Sequence, residues 1–168
     1  MSRDARTLCA VLFVAAALPA PGLGAIGGLD PTFGGDGKVR TDFAAGPDEA
    51  VGVAVQPADG RIVAAGWTVS SGGRFAVTRY EPGGGLDSSF GGDGKVATNF
   101  TGRFDAAFDV AVRAADGKIV AVGRAAGLGG RFAVARYTGS GRLDTTFSGD
   151  GKVTTNFSAG DDFAFGVA

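Results

Sequence analysis

The side chains in this sequence that could do chemistry are carboxylates and cations that recur at a fixed interval. The chain has 17 Asp and Glu, 16 Lys and Arg, one Cys and no His. The lack of His rules out a Ser-His-Asp triad, a Cys-His dyad, an imidazole general base and a His-ligated metal site. Paired carboxylates could still act as general acid and base, as in a lyase or glycosidase, if they converged in a cleft.

Asp36, Asp93 and Asp150 lie in glycine-rich loops, in the context Gly-Gly-Asp-Gly or Ser-Gly-Asp-Gly. Such loops suggest Ca²⁺, but calcium loops collect several oxygens and each of these has one Asp. The simpler interpretation is that Asp-Gly closes a turn before a strand, and the sequence alone leaves both open. We therefore assign no catalytic, cofactor-binding or metal-binding residue and expect no cofactor.

Three more sets of charged residues recur at the same interval. A residue present in every copy is better explained by the geometry of a repeated unit than by one active centre. The first acidic set is expected to accept backbone N–H groups in Asx-turns, and the arginines are expected to pair with an Asp of the same unit. The sets are Asp30, Asp87 and Asp144; Asp48, Asp105 and Asp162; and the arginines Arg74 with Arg131 and Arg79 with Arg136.

A repeat of 57 residues positions all of these groups. The motif Leu-Asp-x-x-Phe-Gly-Gly-Asp-Gly-Lys-Val begins at Leu29 and Leu86, and returns at Leu143 with Ser148 in place of its first Gly. Of the 57 positions in the first two copies, 32 are identical. Trp67, the only tryptophan, has Arg124 as its counterpart, and packing is favoured over sugar or peptide binding. The copies are residues 29–85, 86–142 and 143–168.

Each copy predicts four short strands. Valines alternate with small or polar residues from position 51 to 55, so Val53 and its counterpart Val110 are expected inside. The apolar run 62–66 indicates a strand covered on both faces. Further strands are predicted over 38–43 and 75–80, with tight turns between strands. A four-stranded antiparallel unit at this interval is typical of a β-propeller blade, with a sandwich or solenoid as the alternative.

The predicted fold class is therefore all-β, with four-stranded antiparallel blades of an incomplete β-propeller. Three motifs in fixed order resemble the delta-60 repeat family: the Leu-Asp motif, then Ala-Val-x-x-x-Asp-Gly-(Arg/Lys)-Ile-Val-Ala-x-Gly, then Arg-Phe-Ala-Val-x-Arg-Tyr. The resemblance covers residues 29–168. It implies a bacterial propeller-like repeat of unknown function, often found in secreted or surface proteins, and it implies no catalytic or binding residue.

Residues 1–25 have the pattern of a secretory signal peptide. Arg3 and Arg6 precede an apolar run of about 13 residues, and small residues surround a cleavage site near Gly24. The run is too short for a membrane span, so we expect a secreted or periplasmic/cell-surface protein whose mature chain, residues 26–168, has no integral span. The net charge of the full chain is −1, which gives no attraction to nucleic acid.

The sequence predicts an exported binding or scaffold module and not an enzyme. A propeller lyase or glycosidase and a Ca²⁺-dependent adhesion module remain alternatives. Two copies and 26 residues of a third cannot close a ring, since propellers need roughly four to eight blades. We therefore expect either a fragment of a longer reading frame or several chains in one ring, with self-association through exposed blade edges.

Overall fold

The computed structural model describes residues 27–69, 72–127 and 129–168. The predicted signal peptide, residues 1–25, lies outside these ranges. Within them the chain forms eight β-strands and no α-helix. The strands are β1 (Asp48–Val55), β2 (Ile62–Thr68), β3 (Arg74–Tyr80), β4 (Lys95–Thr98), β5 (Ala106–Val112), β6 (Ile119–Ala125), β7 (Arg131–Tyr137) and β8 (Lys152–Thr155). No helix that could cross a membrane occurs in the described ranges.

The strands form two antiparallel four-stranded sheets, sheet 1 with order β1-β2-β3-β4 and sheet 2 with order β5-β6-β7-β8. This confirms the predicted all-β class and the four-stranded unit. The turn between β1 and β2 contains Gly60 at φ +73°, and the turn between β5 and β6 contains Gly117 at φ +67°. Glycine adopts this left-handed conformation without a steric penalty, which explains the Asp-Gly pair at both turns.

The first strand of each sheet, β1 or β5, has a β-bulge in its pairing with the next strand. The register of β1 against β2 shifts between Ala50 and Gly52, and the register of β5 against β6 shifts between Ala107 and Asp109. A glycine on β2, Gly66, faces the first bulge, where a Cβ atom would collide with the backbone of β1. A bulge of this kind bends the strand and increases its twist.

The sheets do not coincide with the sequence copies. Strands β1–β3 belong to the copy 29–85, whereas β4 belongs to the next copy. Residues 38–43, predicted to be a strand, form none in the structure, so this prediction was wrong. They are the repeat counterpart of the β4 segment, but the described residues provide no strand equivalent to β3 in front of them. An extended segment without a partner cannot form a ladder.

The hydrophobic core lies between the two sheets. Gly52 on β1 faces β5 so closely that a Cβ atom on it would lie 2.6 Å from the Cα atom of Asp109. A glycine at this position therefore lets β1 and β5 approach closely. The fully buried core side chains are Val63, Ala65, Phe75, Val77 and Phe90 from the first half, with Ala107, Val110, Ile119, Ala121, Ala125, Ala133, Ala135 and Tyr137 from the second.

Val53 and Val110 occupy equivalent positions with opposite outcomes. Val110 is 3% exposed, which confirms its predicted burial, because β5 packs against sheet 1. Val53 is 66% exposed, so its predicted burial was wrong. The alternation identified the correct face of β1, but among the described residues no other sheet covers that face.

Candidate interaction surfaces

A buried carboxylate, Asp105, organises the junction between the sheets. The chain leaves β4, passes through residues 99–105 and enters β5. Asp105 accepts hydrogen bonds from the backbone N–H of Phe100 at 2.8 Å and of Ala126 at 3.0 Å. The Thr101 hydroxyl donates a further bond at 2.9 Å. Asp105 therefore ties the end of sheet 1, the start of β5 and the loop after β6 to one another.

The counterparts of Asp105 make the same central bond. Asp48 accepts the N–H of Phe43 at 2.9 Å, and Asp162 accepts the N–H of Phe157 at 2.8 Å. Burial by itself would raise the pKa of Asp48, but hydrogen bonds from the Thr68 hydroxyl and the Phe43 N–H outweigh it and hold the pKa below its ordinary value. These carboxylates serve as acceptors for the chain that connects one sheet to the next.

A second repeated network joins Asp87 to arginine. Asp87 accepts the backbone N–H of Ser89 at 2.9 Å and its hydroxyl at 2.6 Å, and Arg79 Nε donates to Asp87 at 2.6 Å. Arg79 also donates to the Gly139 carbonyl at 2.6 Å, so it links the two halves of the chain. Burial alone would raise the pKa of Asp87, but the hydrogen bonds from Ser89 and Arg79 outweigh it and hold the pKa below its ordinary value.

The other two members of this acidic set differ in their cations. Asp144 pairs with Lys118 at 2.9 Å and with Arg136 at 2.8 Å, and bonds from Lys118 and Thr146 lower its pKa. Asp30 accepts only the N–H and hydroxyl of its neighbour two residues on, at 2.9 and 2.7 Å, and the described residues bring no cation to it. The predicted Asx-turn is thus present in all three copies. The predicted Asp–Arg pairs form as well, but each joins the Asp of the second or third copy to an arginine of the copy before it.

Asp36, Asp93 and Asp150 close exposed turns. Each accepts the backbone N–H of the lysine two residues on, at 3.0, 3.0 and 2.9 Å. The second carboxylate oxygen faces the ammonium group of that lysine at 3.5, 3.5 and 3.7 Å. This is the turn geometry that the sequence offered as the simpler interpretation. In the described part of the chain, no three His, Cys, Asp or Glu side chains are grouped so that they could hold a metal ion.

Trp67 packs in the seam where the chain passes between the sheets. Its ring lies 5.1 Å from that of Phe104, tilted by 57°. In the next copy, the equivalent pair is Arg124 with Asp161, joined at 3.3 Å. One repeat position is therefore filled by an aromatic pair in one sheet and by an ion pair in the other. The sequence did not single out Phe104, although the repeat offset, which makes Phe104 and Asp161 equivalent, could have revealed it.

Both end faces of the two-sheet unit carry exposed apolar side chains. On sheet 1, Val53 is flanked by two half-exposed valines of the same strand. On the far side of sheet 2, Phe163 and Phe165 stack at 5.5 Å, and Phe165 stacks on Phe108 at 5.5 Å. Phe165 is 74% exposed. Two members of this aromatic cluster, Phe163 and Phe165, lie in the third, shorter copy.

A cavity of about 140 Å³ lies between residues 39–43 and the first three strands of sheet 1. The Thr41 hydroxyl and the Tyr80 hydroxyl are hydrogen-bonded at 2.7 Å beside it. The side chains and backbone around it come from Val39, Thr41, Phe43, Asp48, Glu49, Ala50, Ala64, Ala65, Gly66, Trp67, Ala76, Thr78 and Tyr80.

The two packed four-stranded sheets and their repeated junction define a β-propeller-type repeat protein, whose sheets do not close into a ring in the described residues. Residues 58–90 and 114–147 match the model of a family described as a beta-propeller domain of unknown function, DUF5122. The two segments lie about one 57-residue period apart and support a propeller-like repeat family of unknown function. No curated protein and no solved structure matches the chain.

Proposed function

We propose that this chain is an exported repeat protein of the delta-60 type that works as a binding or scaffold module through its apolar end faces. The observation that carries the proposal is the pair Val53 and Val110. The same repeat position is buried in a sheet-to-sheet interface in one case and lies open on an end face in the other. An apolar face of this kind marks an interaction site, because exposing it to water is unfavourable.

Support for a non-enzymatic role comes from how the recurring charges are used. Asp105 is buried and already accepts several hydrogen bonds from its own chain. Asp87 is buried beside Arg79. A general acid or base needs a free carboxyl in a cleft with a pKa near the working pH, whereas the pKa of Asp87 is lowered. Hydrolysis or elimination of a polysaccharide by the purified chain would contradict this proposal.

Support for export comes from the sequence of residues 1–25, with its two arginines, apolar run and small-residue exit. The proposed location is outside the cytoplasmic membrane, in the periplasm, on the cell surface or in the medium. N-terminal sequencing of exported material is expected to start within a few residues of Ile26. Recovery of the intact chain in the membrane fraction would contradict export.

The binding role is tested by the association state of the mature chain. Sedimentation velocity across a concentration series is expected to show self-association that Val53→Asp weakens, because a charge on the end face opposes apolar contact. Ala58→Asp is the matched control, since it adds the same charge in the exposed turn after β1. A wild-type monomer at every concentration, or equal loss of association in both variants, would refute a role for this face.

A further inference from the structure

The cavity between residues 39–43 and sheet 1 has a floor of small residues. Ala50, Gly66 and Ala76 lie opposite one another on β1, β2 and β3. Ala64 and Thr78 lie opposite each other two residues further along. The volume of about 140 Å³ is close to the roughly 150 Å³ of a cavity that holds a benzene molecule. The cavity therefore has room for one six-membered ring.

Sheet 2 shows what packs with the same residues elsewhere in the molecule. The alanines of sheet 2 at the positions of Ala64 and Ala76 are fully buried in one core cluster with Phe75. The ring of Phe75 lies 4.7 Å from the ring of Phe100, tilted by 53°. Phe43, which lines the cavity, is the repeat counterpart of Phe100. The cavity is therefore lined by residues whose counterparts pack with an aromatic ring.

A buried hydroxyl distinguishes the cavity from its counterpart in sheet 2. Thr78 takes the place of Ala135, is 5% exposed and lines the cavity. In the described part of the chain its hydroxyl has no hydrogen-bond partner, whereas the hydroxyls of Thr41 and Tyr80 bond to each other at 2.7 Å. A buried hydroxyl without a partner is unfavourable, and a purely apolar occupant would leave it so. An occupant with a hydroxyl of its own would satisfy it.

We propose that this cavity, called the ring pocket, binds a small phenolic compound. The aromatic ring of the ligand lies beside Phe43 on the floor of small residues, and its hydroxyl donates a hydrogen bond to the hydroxyl oxygen of Thr78. Burial of the ring supplies most of the affinity, and the hydrogen bond offsets the cost of removing the phenol hydroxyl from water. A mostly apolar pocket with a few polar groups is the usual composition of a small-molecule site.

The ring pocket goes beyond the proposed scaffold role, which depends on contact between chains at Val53. Val53 lies on β1 opposite Ala64, but it is not one of the residues that line the ring pocket. The two proposals therefore fail independently. A chain that stays monomeric at every concentration leaves the phenol site intact, and a chain that binds no phenol leaves self-association intact.

The test is an NMR titration of the mature chain with phenol and with toluene, at a protein concentration at which the chain is monomeric. Toluene has the same ring with a methyl group in place of the hydroxyl. Phenol is expected to shift the methyl signals of Val39, Ala64 and Thr78, with a dissociation constant on the order of 1 mM for a ligand of this size. Thr78→Val is expected to raise the dissociation constant of phenol by about threefold to tenfold and to change that of toluene by less than about twofold.

Two further variants and one stability measurement serve as controls. Ala64→Leu fills the ring pocket from its floor and is expected to abolish binding of both compounds. Ala58→Leu adds the same side chain in the exposed turn after β1 and is expected to bind both as wild type does. The urea midpoint of Thr78→Val is expected to equal or exceed that of wild type, because the substitution removes a buried hydroxyl that has no partner in the described residues.

Four results would overturn the inference. The first is no shift of the three methyl signals at phenol concentrations about tenfold above the expected constant. The second is an equal loss of phenol and toluene affinity in Thr78→Val. The third is a lower urea midpoint for Thr78→Val, which would show that the hydroxyl already has a partner in the fold. The fourth is N-acetyltyrosinamide binding about tenfold or more tightly than phenol, which would assign the ring to a tyrosine side chain of a partner.

Discussion

Replacing Asp105 by Ala is expected to be among the most damaging single changes to the junction between the sheets. The substitution removes a buried carboxylate and leaves the N–H groups of Phe100 and Ala126 without their acceptor. A hydrogen bond to a charged group contributes about 1.5–3 kcal/mol, so two such bonds at the low end give about 3 kcal/mol. The Thr101 hydroxyl is exposed and can turn to water, so it adds little.

The assay is urea unfolding of the mature chain followed by the fluorescence of Trp67, which packs against Phe104 next to Asp105. With a urea dependence of about 2 kcal/mol per molar, the midpoint is expected to fall by about 1.5 M. Asp162→Ala is the matched control. It removes the equivalent bond to the exposed Phe157, where water replaces the carboxylate, so the loss is expected to stay below about 1 kcal/mol.

The comparison between the two variants decides whether the reasoning holds. If Asp105→Ala and Asp162→Ala shift the midpoint equally, burial is not what makes the junction carboxylate important. Asp105→Asn keeps one carbonyl oxygen but turns an amide toward donors, so an intermediate midpoint is expected. An Asn variant as stable as wild type would show that the charge contributes nothing.

Three further predictions concern the interface and the arginine networks. Val110→Asp buries an unpaired charge, so it is expected to lower the free energy of unfolding in urea by about 3–5 kcal/mol. Val53→Asp is expected to unfold near the wild-type midpoint. Equal losses of stability in the two variants would refute the assigned burial. Arg79→Ala is expected to lower the free energy of unfolding by about 3 kcal/mol. Arg136 is more exposed, so Arg136→Ala is expected to lower it by less than half as much. The reverse order would contradict the link that Arg79 makes between the two sheets. The pKa of Asp87 is lower in the folded state than the ordinary 3.8, so its stabilisation is present above about pH 4 and is lost as the pH falls through the folded pKa. Unfolding free energies at pH 6, 4 and 3 should fall less steeply in Asp87→Asn, and parallel profiles would exclude this contribution.

Repetition and alternation predicted the sheets well. The 57-residue interval, the Asp-Gly turns and the alternating residues identified the four strands of sheet 1, with β4 predicted as the repeat counterpart of residues 38–43, and the burial of Val110. The predictions were wrong where the burial or pairing of a residue depends on a neighbouring sheet or strand. The pattern at Val53 shows which face of a strand is apolar, but it does not show whether another sheet covers that face. Residues 38–43 have a strand pattern, but a strand needs a partner to bond with.

The polar networks were harder to predict because their partners are far apart in sequence. The recurrence of Asp105 indicated a structural role, and the turn with Phe100 and Thr101 is local. The bond from Ala126 is not, since it forms only when the loop after β6 folds back. The link from Arg79 to the Gly139 carbonyl spans an even longer stretch of chain. Single-sequence patterns carry no information on such pairings.

The offset between sequence copy and sheet has a consequence for how chains of this kind can change in length. Strands β1–β3 of sheet 1 come from one sequence copy and β4 comes from the next. The chain therefore crosses the boundary between two copies inside a sheet. A recombination event that adds or removes one whole period leaves each strand with the same type of neighbour, wherever in the repeat the crossover falls. A proteolytic cut between β3 and β4 does the opposite. It leaves β4 covalently joined to sheet 2 but held to β3 only by backbone hydrogen bonds and packing. The two parts of such a nicked molecule can then separate only by breaking both this ladder and the core between the sheets.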